Sequence, residues 1–130
     1  MSFSDYLELK VLDHVFGKAA YTMPTAYIGL STADPLDTGV GLAEPVGGAY
    51  ARVATSALDW NAAAAGATSN ANALTFTQAT GSWGTVSHFA VFDAPTAGNM
   101  LASGALTTPK AVGNGDTVKF DVGQLTATLD

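Results

Sequence analysis

The chain has no cysteine, which removes disulfide staples and thiolate ligands together, so stability has to come from packing, from contacts between copies, or from both. Charge is nearly as scarce. With five Lys or Arg and eleven Asp or Glu, charged residues make up 12% of the 130 residues, about half the share of an average soluble domain. The two histidines, His14 and His88, stand far apart in sequence. Catalytic and metal sites are built from these residue types, and so few of them point to a building block and not to an enzyme, with no cofactor and no metal. The net charge is −6, and Lys10, Lys18, Arg52, Lys110 and Lys119 are scattered, which argues against direct binding of nucleic acid, because neutralising phosphates needs clustered cations. No apolar run approaches the roughly 18 residues of a membrane span, so no membrane partner is expected. The first residues, with Asp5 and Glu8 among them, lack the basic start of a secretory signal, and the expectation is a chain made soluble in the cytoplasm.

What is present is apolar and neutral. Hydrophobic residues are 48% of the chain, and at this length one domain, residues 1–130, can bury roughly two-thirds of its unfolded surface. Abundant Ala, Gly and Thr with so little charge leave a flat exterior suited to burial against other copies or partners.

Residues 4–16 read as the one helix, within an N-terminal segment 1–17. Ser2 or Ser4 can cap it, Asp5 and Glu8 lie where the helix dipole favours anions, and Gly17 can end it. Phe3, Leu7, Val11 and Val15 form an i, i+4 stripe that Leu12 and Phe16 widen, with Tyr6 and Leu9 on the other side. Apolar residues nearly encircle the helix. It either packs on one end or face of a sheet with Tyr6 and Leu9 partly exposed, or lies between its own sheet and a neighbouring subunit. Residues 26–129 read as β, with strands at 26–31, 50–55, 73–77, 85–92, 100–106, 117–122 and 124–129 and an extra short one at 57–60. The strand at 85–92 carries Val86, His88, Ala90 and Phe92 on one face and Thr85, Ser87, Phe89 and Val91 on the other, and so reads as central, flanked by Val118, Phe120 and Val122. The fold expected is mainly β, a sandwich or jelly-roll-like barrel of seven or eight short strands with one N-terminal α-helix. Turn residues crowd 33–49, predicting an extended loop with a task of its own, and 61–72 reads as a mobile loop or an arm ordered on a partner.

Chemical readings of individual residues are weak. Ser82, His88 and Asp93 make a triad only on paper, because no Gly-x-Ser-x-Gly elbow holds the serine. Asp34, Asp37 and Glu44 could offer oxygens to calcium but lack the Asp-x-Asp-x-Asp-Gly arrangement. The glycines at 39, 41, 47 and 48 are followed by no Gly-Lys-Ser or Gly-Lys-Thr and make no phosphate loop. Trp60 and Trp83 could stack on sugars, although large aromatics more often serve packing, Trp83 anchoring a turn and Trp60 capping the core. Candidate assembly contacts are Tyr6 and Leu9 on the helix and Asp34, Leu36, Val40 and Leu42 in the long loop.

The runs from Leu7 to Gly17, Tyr27 to Pro35, Gly48 to Val53, Gly81 to Phe89 and Ala105 to Lys110 together resemble a family of small tailed-bacteriophage virion proteins whose members are often labelled phage tail fibre protein. The resemblance covers nearly the whole chain and supplies no catalytic motif. It implies a virion component. A compact neutral chain without a long repetitive shaft then suggests a capsid decoration, or cement, protein on the outer surface of the head, with the major capsid protein and itself as partners, in a homo-oligomer such as a trimer. The alternative is a tail fibre or tail-tip subunit that meets other tail proteins or the host surface, including through a glycan-binding face.

Overall fold

In the computed structural model, which describes residues 1–129, Asp5–Val15 forms helix α1. Ser4 caps it twice over. Its Oγ accepts from the Leu7 N–H at 3.2 Å and donates to the Met100 carbonyl at 2.6 Å, so one buried hydroxyl both starts the helix and ties it to the sheet. The other end closes as Gly17 was expected to close it. With φ +75°, Gly17 donates to His14 O at 3.3 Å and Lys18 donates to Asp13 O at 2.8 Å, the paired bonds of a Schellman stop.

The fold is mainly β. Among the described residues nine strands pair antiparallel, one before the helix and eight after it: β1 Ser2–Phe3, β2 Tyr27–Ser31, β3 Val53–Ala54, β4 Ala67–Ser69, β5 Leu74–Thr75, β6 Gly84–Phe92, β7 Met100–Val112, β8 Lys119–Phe120 and β9 Thr126–Thr128. Five of them make one sheet in the order β1-β7-β6-β2-β3, while β4 pairs with β9 and β5 with β8 as separate two-stranded ribbons. The sheets do not close into a barrel, so of the two expected architectures the sandwich is the one formed.

The core lies between the main sheet and the ribbons. Ile28, Leu30, Val86, Phe89 and Leu101 meet Leu74, Phe76, Phe120 and Leu125 there, each fully buried large side chain stabilising by roughly 1.5–3 kcal/mol. A smaller cluster of Ala90, Phe92 and Met100 lies apart from this core, with Leu42 of the long loop packed against it. That placement explains the near-continuous apolar end of β6. Phe89 and Val91 fill the main core while Ala90 and Phe92 fill the second cluster.

Several expectations are corrected. The strand at 85–92 is central, but its neighbours are β2 and β7; Phe120 instead stands across the core, with its ring 5.7 Å from that of Phe89, and Val122 is exposed. Val86 joins Phe89 in the core, because the pairing slips between Val86 and His88 and breaks the alternation there. Residues 57–60 form no ladder strand. Ser56 caps a single 3-10 turn, Ala57–Asp59, and Asp59 bonds back to the Ser56 N–H at 2.8 Å, a capping box that outweighs the alternating pattern. Phe3 belongs to β1 and not to the helix stripe. The segment 61–72 is no arm, since it contains β4 and the fully buried Asn70, whose amide donates to Asn72 O and Asp121 O and accepts from Leu125 N. A buried side-chain amide with three partners fixes this stretch in place.

Candidate contact surfaces

The loop 33–49 has no regular structure, yet it is tied down at many points. Ala43 donates to Ser31 Oγ at 3.0 Å, Thr32 donates to Ala43 O at 2.9 Å, and Pro35 is fully buried. Its strongest tie is Glu44. Arg52 Nε and Nη2 reach its two carboxylate oxygens at 2.9 and 2.7 Å, a bidentate pair, and Tyr50 Oη donates to Glu44 Oε1 at 2.8 Å. Arg52 also donates to Ala94 O and Ala97 O in the turn between β6 and β7, and its guanidinium stacks 3.5 Å from the centroid of Phe92. Burial alone would push the Glu44 carboxyl up, but the bonds from Arg52 and Tyr50 and the Arg52 charge outweigh it and hold the group below its ordinary 4.5. The Tyr50 hydroxyl is pushed well above its usual value, chiefly by burial. This latch sits directly on β2: a Cβ at Gly29 would stand 2.8 Å from Phe92 and 2.9 Å from both Glu44 Oε1 and Tyr50 Oη, so any side chain there has to push the latch aside. The carboxylate and Arg52 also line a cleft of about 360 Å³ whose rim includes Tyr6, Asp37 and Asn99.

Helix α1 presents the opposite picture. None of its residues is fully buried. Tyr6, Leu7, Lys10 and Val11 turn inward and are half-buried, with Lys10 Nζ 5.5 Å above the Tyr6 ring. Leu9, Leu12 and Phe16 stand out at 64, 54 and 73% exposure. Their spacing of three and four residues makes a single seam on the face away from the sheet, with Val15 beside it. Glu8 and Asp13 flank the seam and Asp5 continues it. Tyr6 is therefore on the packed face and Leu12, Val15 and Phe16 are off it, reversing the expected stripe at those positions.

The six expected contact residues divide accordingly. Leu9, Asp34, Leu36 and Val40 are exposed; Tyr6 and Leu42 are turned into the molecule, Leu42 onto Phe92 and Met100. Asp34 caps its own turn through the Leu36 N–H at 2.9 Å and stands 3.9 Å from His88 Nε2. The paper triad does not assemble. Ser82 Oγ accepts from Gly84 N–H, Asp93 holds Asn99 through two bonds, and His88 Nδ1 meets Ser87 at 2.8 Å. His14 Nδ1 accepts from the Tyr21 N–H at 3.0 Å, which folds the segment after the helix back upon it. Among the described residues no group of three or more His, Asp or Glu is placed to hold a metal ion. Trp83 is buried, with its Nε1 donating to Gly48 O at 2.8 Å, and half-buried Trp60 donates to Thr55 Oγ1 at 3.0 Å, so both act as packing anchors.

One surface had no counterpart in the sequence reading. Along β7, Ala105 pairs with His88 but Lys110 pairs with Val86, so Leu106, Thr107, Thr108 and Pro109 arch out opposite Ser87 alone. Between this arch and β8 lies a groove of about 720 Å³, floored by Phe89, Leu106, Val118 and Phe120 and edged by Lys110 and Lys119. Pro109 inside a strand pattern was the available signal, since proline marks edges and bulges.

The fold defines a small β-sandwich with a latched loop and an exposed apolar seam on its helix. The chain belongs to the family described as podophage GP4 fiber I protein gp80, whose model matches residues 2–128, and it is thus a member of a phage fibre-like family of virion proteins. No curated protein matches it.

Proposed function

We propose that the chain is a non-catalytic assembly subunit on the outside of a phage particle, and that decoration of the assembled head is its first role. The observation that carries this reading is the number of large apolar side chains left in solvent by a domain whose own core is complete. Leu9, Leu12, Val15, Phe16, Met23, Leu36, Val40, Val46, Leu58, Val122 and Leu129 are all at least half exposed. Scattered singly they would need no explanation, but Leu9, Leu12, Val15 and Phe16 share one face of the helix end on a chain with only 12% charged residues, a patch that contact would protect. A subunit that binds only the finished shell stabilises it by mass action, without chemistry. The partners in this reading are the major capsid protein and further copies of the chain, as a trimer or other closed ring.

The description of the matched family favours a second reading, a fibre or tail-tip subunit. Copy number separates the two. Quantitative mass spectrometry of purified particles should find the chain at an abundance near that of the major capsid protein if it decorates the head, and at a few copies if it belongs to the tail. Absence from washed particles would remove both.

A further inference from the structure

We propose that copies of this chain join head to tail, the outer seam of α1 on one copy seating in the groove between β7 and β8 of the next. The proposal rests on the assembly reading above and names the surfaces that would serve it.

The seam of Leu9, Leu12 and Phe16 is narrow, as a helix face meant for a single groove would be, and it points away from the sheet that carries the helix. Pairing it with the same seam of a second copy is disfavoured by charge. Glu8 and Asp13 flank it, so a parallel pair would set Glu8 against Asp13 and an antiparallel pair would set each against itself. The seam needs a receptor with an apolar floor and a cation in reach of its acidic flanks.

The chain itself carries one. Of its five basic residues, Arg52 is locked in the latch, Lys10 lies over Tyr6, Lys18 follows the helix, and the remaining two, Lys110 and Lys119, edge the groove. Two carboxylates also line it, so its charges balance: Asp121 pairs with Lys119 at 3.0 Å, Asp116 accepts from the Gly113 N–H at 2.8 Å, and Lys110 is left as the cation at the rim. Lys110 has no ion-pair partner among the described residues and is free to meet Glu8 or Asp13. Volume agrees as well. An apolar cavity of about 150 Å³ takes a benzene-sized body, and the 720 Å³ here leaves room for the three knobs of the seam.

Helix and groove lie at opposite ends of β7. The Ser4 N–H bonds to Leu101 O at the start of the strand, and β1 runs antiparallel to β7, carrying the chain away from the groove at residues 105–112. A copy therefore cannot satisfy its own groove. The contact is heterologous, and repeated it closes into a ring or propagates as a row.

The test is complementation in solution with the full chain. The seam variant carries Leu9→Glu and Phe16→Glu; the groove variant carries Lys110→Glu and Lys119→Glu. Unmodified chain should rise in mass with concentration in sedimentation velocity, each variant alone should sediment as a monomer with an unchanged melting curve, and an equimolar mixture should form a capped one-to-one dimer. Monomeric unmodified chain at every concentration, association that survives either variant, or a mixture that stays monomeric would overturn the proposal. None of these outcomes decides whether the chain resides on the particle, which copy number alone reads. If a variant loses its melting transition, Glu8→Lys with Asp13→Lys replaces the seam variant, and its mixture with the groove variant should restore pairing through reversed charge.

Discussion

The loop 33–49 and helix α1 reverse what their regularity suggests. The loop has no repeating structure, yet it buries Pro35, places Leu42 on Phe92, and is held to the sheet by Glu44 through two side chains. The helix is regular and capped at both ends, yet not one of its eleven residues is fully buried. Hydrogen-bond regularity describes how a segment satisfies its own backbone. Burial describes what the segment does for the rest of the molecule. In this chain the irregular segment completes the fold, and the regular one is turned outward.

Breaking the latch tests the first half of that contrast most severely. Arg52→Met keeps a long apolar stem over Phe92 but leaves Glu44 without its cation and the Ala94 and Ala97 carbonyls without a donor. The Arg52 side chain is only 4% exposed, so the loss falls towards the range of broken buried pairs, about 3 kcal/mol, reduced somewhat because Glu44 keeps 23% of its side-chain exposure. Urea denaturation should show the lowered midpoint. Gly29→Ala attacks the same point by crowding. Its Cβ would stand within 2.9 Å of Phe92, Glu44 and Tyr50, and because these are side-chain ends that can shift a little, a loss of about 1–3 kcal/mol is expected in the same assay.

Acid probes the latch more gently. The Glu44 carboxyl has a folded-state pKa below its ordinary 4.5, so its contribution is fully present above that pH and is lost as pH falls through the folded value. Stability should therefore fall on the acid side of 4.5, and Glu44→Gln should be less stable at neutral pH while showing a shallower acid limb. Parallel acid limbs for the two proteins would mean that the latch charge contributes nothing. Asp59, held below its ordinary value chiefly by the Ser56 backbone N–H, also titrates in that window, but it lies outside the latch and should be the same in both proteins.

Much of the sandwich was legible because local rules and tertiary packing agree there. Turn residues bound the strands, an end apolar on both faces marks β6 as central, and Ser4 and Gly17 bound the helix. The latch was not legible. Glu44, Tyr50 and Arg52 are near in sequence, but nothing in their spacing says that Phe92 and the turn after it close over them, a contact spanning more than forty residues. The helix failed differently. With apolar residues on nearly every side, its periodicity could not say which face meets the sheet, and the stripe through Val15 was as plausible as the one through Tyr6. The pairing slip at Ser87, which moves Val86 into the core and lifts Leu106 to Pro109 out of the sheet, left only Pro109 as a trace.

The smallest stability effect should come from the most exposed side chain of the helix seam. Phe16 is 73% exposed and its backbone N–H, bonded to Leu12 O at 3.0 Å, does not depend on the side chain. Phe16→Ser should therefore change folding stability by no more than about 0.5 kcal/mol, the ordinary range for surface positions. A loss of 2 kcal/mol or more, on the order of a core truncation, would mean that the ring packs within its own molecule and that the contrast between loop and helix is false. If stability holds while association falls, the ring is used between molecules and not within one. Thermal unfolding at low concentration, where copies are apart, isolates the first quantity, and sedimentation at high concentration isolates the second. The comparison of the two for one substitution decides whether α1 is an element of this fold or a surface that the fold carries for something else.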